Sequence, residues 1–118
     1  MRGVRVSLPI ACLLAVMALA TPSIAGPFDG QWIISVQSNR SNCGGNTNEL
    51  TVSDGRITGE YVGSNGVYAA RGTISDAGKV KFKLDAGKAT FKGEAEGSTV
   101  SGKWDGGHCR GTFRMTRK

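Results

Sequence analysis

From Gly30 onward the chain alternates apolar and polar residues one by one, in runs of six to nine residues that glycine, aspartate and asparagine interrupt at short intervals. The plainest run is Lys79 to Leu84, where Val80, Phe82 and Leu84 fall on one side and Lys79, Lys81 and Lys83 on the other. Such a period of two marks a strand with one buried face, because successive side chains of extended backbone point to opposite sides. No stretch of this region repeats its apolar residues at helical spacing. The pattern therefore commits the chain to an all-β fold before composition is considered.

Eight strands are predicted, at 31–37, 48–53, 56–62, 67–74, 79–84, 88–95, 98–105 and 108–116. Their inward sets run from Trp32, Ile34 and Val36 in the first to Cys109, Gly111, Phe113 and Met115 in the last. Asp54-Gly55 is the strongest hairpin signal, since both residues tolerate the positive φ of a tight primed turn. Eight short strands joined by hairpins either close into an up-and-down barrel or pack as a β-sandwich, because an open sheet leaves two exposed edges. Glycines at the inward positions 59, 72, 93, 102 and 111 alternate with bulky residues, as a narrow barrel requires. They would equally make room for one small ligand.

The region before the strands has a different character. Arg2 and Arg5 precede a thirteen-residue apolar stretch, Leu8 to Ala20, and Ser23-Ile24-Ala25 places small residues where a leader is cleaved. The stretch is shorter than the roughly 20 residues a membrane-spanning helix needs. A signal peptide at 1–25 is expected, with a domain at 26–118, a secreted or periplasmic location and no transmembrane segment in the mature chain. Cys12 would leave with the leader, so Cys43 and Cys109 remain as a pair in an oxidising compartment, where a disulfide is the default. In an up-and-down barrel of eight strands the last strand lies beside the first, and these cysteines flank that seam, so a single-domain eight-stranded up-and-down barrel is the expected fold and the β-sandwich the alternative.

Charge is unevenly placed. Gly26 to Gly78 holds three basic and five acidic residues, whereas Lys79 to Lys118 holds ten basic and four acidic. The outward positions of the later strands include Lys79, Lys81, Lys83, Lys92, Lys103, Arg110 and Arg114, a candidate face for an anionic envelope component or an acidic protein. The same lysines would serve equally as a solvated face that discourages edge pairing. Nucleic acid is disfavoured, because no exposed aromatic residues interleave with the lysines to stack bases. A second candidate is the polar loop between the first two strands, with Arg40, Asn42 and Asn46 held near the disulfide; it reads equally as a plain connector.

Catalytic chemistry finds little footing. His108 is the only histidine, both mature cysteines are assigned to a bridge, and Asp54, Asp76, Asp85 and Asp105 sit where turns need them. Neither a metal-ligand spacing nor a phosphate-cradling loop is present, so no cofactor and no metal are expected.

Gly30-Gln31-Trp32, Ile57-Thr58-Gly59-Glu60-Tyr61 and Ser101-Gly102-Lys103-Trp104 resemble the avidin meander, and the chain as a whole is similar to small secreted all-β proteins of bacteria. The resemblance implies an eight-stranded barrel with Tyr61 facing a ligand, although Ile34 and Gly63 stand where that family has a ligand-binding asparagine and serine. A looser similarity, to small periplasmic protease inhibitors, rests on the Gly-x-Trp opening, the strand number and the single disulfide. The function expected is therefore a non-enzymatic binding or inhibitory module of the cell envelope. The alternatives are an avidin-like carrier of a small ligand and an enzyme with an unrecognised site.

Overall fold

The computed structural model describes residues 26–43, 46–63, 66–85 and 89–118. The expected signal peptide lies outside these residues, as do Gly44, Gly45, Ser64 and Asn65, Ala86 and Gly87 of an expected turn, Lys88 at the expected start of the sixth strand, and the side chain of Asn42. Eight strands follow one another: β1 (Gly30–Ser38), β2 (Asn46–Ser53), β3 (Arg56–Gly63), β4 (Gly66–Ile74), β5 (Lys79–Leu84), β6 (Ala89–Glu96), β7 (Thr99–Asp105) and β8 (Arg110–Arg117). A single 3₁₀ turn, Ser41–Cys43, interrupts the β1–β2 connection. Each strand pairs antiparallel with the next, and β8 pairs with β1 from Trp32↔Arg117 to Ser38↔Gly111, so the sheet closes into a barrel without a free edge.

The alternation in the sequence maps onto this wall residue by residue. Val80, Phe82 and Leu84 are buried and Lys79, Lys81 and Lys83 exposed, and the same rule places Trp32, Ile34, Val36, Leu50, Val52, Ile57, Phe91, Val100, Phe113 and Met115 inside. Phe91 lies at the centre of an aromatic cluster that fills much of the lumen. Phe82 stacks on it at 4.4 Å between ring centroids, Phe113 meets it edge-on at 5.3 Å, and Trp104 and Tyr61 lie at 5.9 and 6.1 Å. Such offset and edge-on pairs are the favoured aromatic geometries.

One turn and one close approach show how the sheet is shaped. Asp54 and Gly55 both have positive φ, 52° and 76°, as the tight primed hairpin between β2 and β3 requires. On β7, glycine serves close approach: a Cβ on Gly102 would overlap the carbonyl oxygen of Lys92 and crowd Gly93 and Phe113 across the sheet. The wall therefore curves tightly through β6–β8, where the inward positions directly opposite one another are both glycine, Gly93↔Gly102.

One mouth of the barrel is plugged. Trp32 is fully buried there, donates its indole N–H to the Phe28 carbonyl at 2.9 Å, and carries the Arg117 guanidinium over its ring at 4.8 Å. Arg117 also donates to the carbonyls of Asp29 (2.7 Å) and Pro27 (2.8 Å), tying the segment before β1 to the last strand. At the other mouth Cys43 and Cys109 are bridged, with Cα atoms 5.9 Å apart, within the range a disulfide accepts.

Two strand starts differ from the sequence reading by two residues, and every other boundary agrees to within one. β2 begins at Asn46, because Asn46 and Thr47 pair with Val36 and Ser35 of β1. β8 begins at Arg110 and not at His108: Gly106 N–H donates to the Cys109 carbonyl at 2.8 Å, so His108 and Cys109 belong to the turn.

Candidate functional site

The seven basic residues singled out from the sequence are all exposed on the outer face of β5–β8. The strand register decides how they are grouped. Lys81 lies directly opposite Lys92, and Lys92 directly opposite Lys103, which gives one lysine per strand in a row at right angles to the chain direction. With strands about 4.8 Å apart, the three lysine backbones fall within about 10 Å. The row continues through Thr112 on β8 to Gln37 on β1, both exposed.

The other four candidates flank this row without joining it. Lys79 faces Glu94, and Arg114 faces Ser101 and Ser35. Lys83 lies between Arg71 and Thr90, while Arg110 faces Asp105. Among the described residues the ion pairs are Arg71–Asp85 at 3.6 Å and Lys118–Glu49 at 3.2 Å, and neither touches the row. Like charges directly opposite on one face of a sheet are destabilising, by up to about 1 kcal/mol per pair. The row is thus an unneutralised cationic line.

An open concavity lies beside it. Its floor includes the backbone of Gly93, Gly102 and Gly111, and its rim carries Lys92, Lys103 and Arg110 with Glu94 and Asp105 interspersed. Asn39 and Trp104 line it as well. A second, smaller concavity shares Ser101, Gly102 and Thr112 with the first and extends over β8 to Gln37, Ser35 and Arg114. Together they make a shallow groove that follows the row from Lys92 on β6 to Gln37 on β1, with Lys81 on β5 beyond its end.

Trp104 and Asn39 are held there by the closing seam. The Trp104 indole N–H donates to the Gln37 carbonyl at 2.9 Å while its ring stacks on Phe91. Asn39 N–H donates to the Arg110 carbonyl at 2.9 Å, and Asn39 Oδ1 accepts from the Arg110 N–H at 3.4 Å. The disulfide beside them therefore borders the groove. The loop candidates divide: Arg40 is exposed, Asn46 is half-buried and donates to the Tyr61 hydroxyl at 3.3 Å, and Asn42 lies outside the described side chains.

Two groove residues carry no mark in the sequence. Thr112 and Gln37 are ordinary polar residues until the register sets them beside the lysines. A usable signal does exist for one step: the short Gly97-Ser98 hairpin pairs Glu96 with Thr99 and, counting back along both strands, Lys92 with Lys103. No protein-family model, curated protein or solved structure matches this chain.

Proposed function

We propose that this protein is a non-catalytic binding or inhibitory module of the cell envelope, outside the cytoplasm, which takes an anionic partner on the outer face of β5–β8. The observation that carries the reading is the in-register row Lys81–Lys92–Lys103, which has no carboxylate within ion-pairing distance among the described residues. A solvated lysine face has no need of three cations directly opposite one another, an arrangement that costs stability until a counter-charge is supplied. The lumen supports an external site in turn. Trp32, Phe82 and Phe91 are each no more than 1% exposed and pack among other side chains, which leaves the aromatic residues little free surface for a carried ligand. The disulfide fits an oxidising compartment.

The test is binding of the oxidised protein to anionic envelope material at low salt and again at about 1 M salt, where the Debye length shrinks to about 3 Å. Binding is expected at low salt and lost at high salt, and reversing Lys81, Lys92 and Lys103 to glutamate is expected to abolish it. Binding that survives both changes would remove the basic face from the reading.

A further inference from the structure

The carboxylates among the lysines narrow the class of partner. Glu94 lies two residues from Lys92 on β6, and Asp105 two residues from Lys103 on β7, so each projects from the outer face on its own side of the row. Asp105 accepts from the Gly107 N–H at 2.9 Å, whereas Glu94 has no hydrogen bond or ion pair within the described protein. A ligand lying along the row therefore meets cations on its axis and, on each flank, one carboxylate between two cations: Glu94 with Lys79 and Arg114, and Asp105 with Lys83 and Arg110. The two carboxylates only accept hydrogen bonds, so the flanks suit a chain that carries hydroxyl donors beside its own separated negative charges.

The uncharged part of the groove points the same way. Beyond Lys103 the row passes to the hydroxyl of Thr112 and the amide of Gln37, with Ser101, Thr90 and Asn39 beside it. These are hydrogen-bonding groups for a polyhydroxylated chain. The exposed large hydrophobic residues described, Val62 and Val67, lie on β3 and β4 and not on this face, so no apolar anchor for a lipid surface adjoins the lysines. The aromatic residues that line the groove, Trp104 and Phe113, both pack their rings against Phe91 in the lumen, which leaves no series of platforms for nucleic-acid bases.

From this arrangement we infer that the groove binds a linear acidic glycan, with carboxylates spaced along the chain meeting Lys92 and Lys103 in the groove and Lys81 just beyond its end, and a hydroxyl donating to Glu94. This rests on the basic-face reading above and names its ligand class. The floor of glycine backbone lets the chain lie close to the sheet, and the five positions from Lys81 to Gln37 cover about 19 Å, enough for a short oligosaccharide.

The experiment uses polygalacturonate, its fully methyl-esterified neutral form, an oligothymidylate and phosphatidylglycerol vesicles as probes, with affinity measured by titration calorimetry at low salt. Polygalacturonate is expected to bind and the neutral ester not to. Lys92→Glu combined with Lys103→Glu is expected to abolish that binding, whereas Arg56→Glu, an exposed charge change outside the groove, leaves it within about twofold. Glu94→Ala is the deciding variant. It makes the protein more positive, so simple charge attraction predicts tighter binding, but loss of one hydrogen bond to a charged acceptor predicts about tenfold weaker binding. Tightening on Glu94→Ala overturns the glycan inference. Binding of only the oligothymidylate or the vesicles, through the same lysines, also overturns it while leaving the basic face standing; failure of every anionic probe removes both.

Discussion

Tyr61 shows how one buried polar group acts in this barrel. Its ring lies against Phe91 and its hydroxyl accepts from Asn46, so a residue expected to face a ligand is occupied by the protein itself. Burial disfavours the phenolate and raises the pKa above the ordinary 10.0, while the Asn46 bond pulls more weakly the other way. The unfolded chain releases this proton near pH 10, where the folded chain still holds it. The folded state then binds more protons than the unfolded state, so stability falls as pH rises; below pH 10 the contribution is fully present. Urea midpoints measured from about pH 8 to pH 11 should therefore drop more steeply for the native protein than for Tyr61→Phe above pH 10. Below that pH the two curves should run parallel, offset by about 1 kcal/mol for the lost hydrogen bond. Curves that stay parallel throughout would mean that the hydroxyl is not shielded from water. The role of Asn46 was hidden from sequence reading, because an amide in a polar segment looks free until β2 is seen to start there.

Among the elements, the β3–β4 hairpin is the least supported by its neighbours. The β2–β3 ladder stops at Leu50↔Gly59 and the β4–β5 ladder at Ala70↔Leu84, yet β3 and β4 pair with each other out to Gly63↔Gly66. Asn48 bridges the gap on the β2 side: its Oδ1 accepts from the Val62 N–H at 2.9 Å, and its Nδ2 donates to the Val62 carbonyl at 3.4 Å. One side chain thus imitates a ladder step. Asn48→Ala should cost about 1–2 kcal/mol, and hydrogen exchange should show the Val62 amide losing protection while Ile57 and Thr58 keep theirs. Equal loss at all three amides would instead assign Asn48 a part in the whole sheet. Strand existence and facing were legible because alternation reports burial directly, as in Lys79 to Leu84, and closure was favoured only by the cysteines at the seam. Register was legible where a tight hairpin sets it at Asp54-Gly55, whereas the expected bounds 88–95 and 98–105 put the next tight turn at Glu96-Gly97, one residue before the observed Gly97-Ser98. The lysines could therefore be listed from sequence, but the row they form required every ladder between β5 and β8, and the groove required β1 as well.

For the molecule as a whole, the question is what keeps the first and last strands together, since the groove spans their seam. The plug joins β1 to β8 at one mouth through Arg117 and Trp32, and the Cys43–Cys109 bridge joins their flanks at the other. Between them runs the ladder from Trp32↔Arg117 to Ser38↔Gly111. A bridge across a sequence separation of 66 should contribute about 4 kcal/mol, chiefly by restricting the unfolded chain. If the ladder alone suffices to hold the seam, Cys43→Ala with Cys109→Ala lowers the unfolding free energy from urea titration by that amount and leaves the far-ultraviolet circular dichroism of the barrel unchanged. Arg117→Ala should cost about 2 kcal/mol, from the cation–π contact and two charge-assisted hydrogen bonds at an exposed site. The two changes act at opposite ends of the seam with the whole ladder between them, so their costs should add within about 0.5 kcal/mol. A combined loss larger than the sum by more than about 1 kcal/mol would show that the seam opens as one unit from either end. Closure would then depend on both locks together, and reducing the bridge would disturb the Asn39, Trp104 and Gln37 side of the groove along with stability.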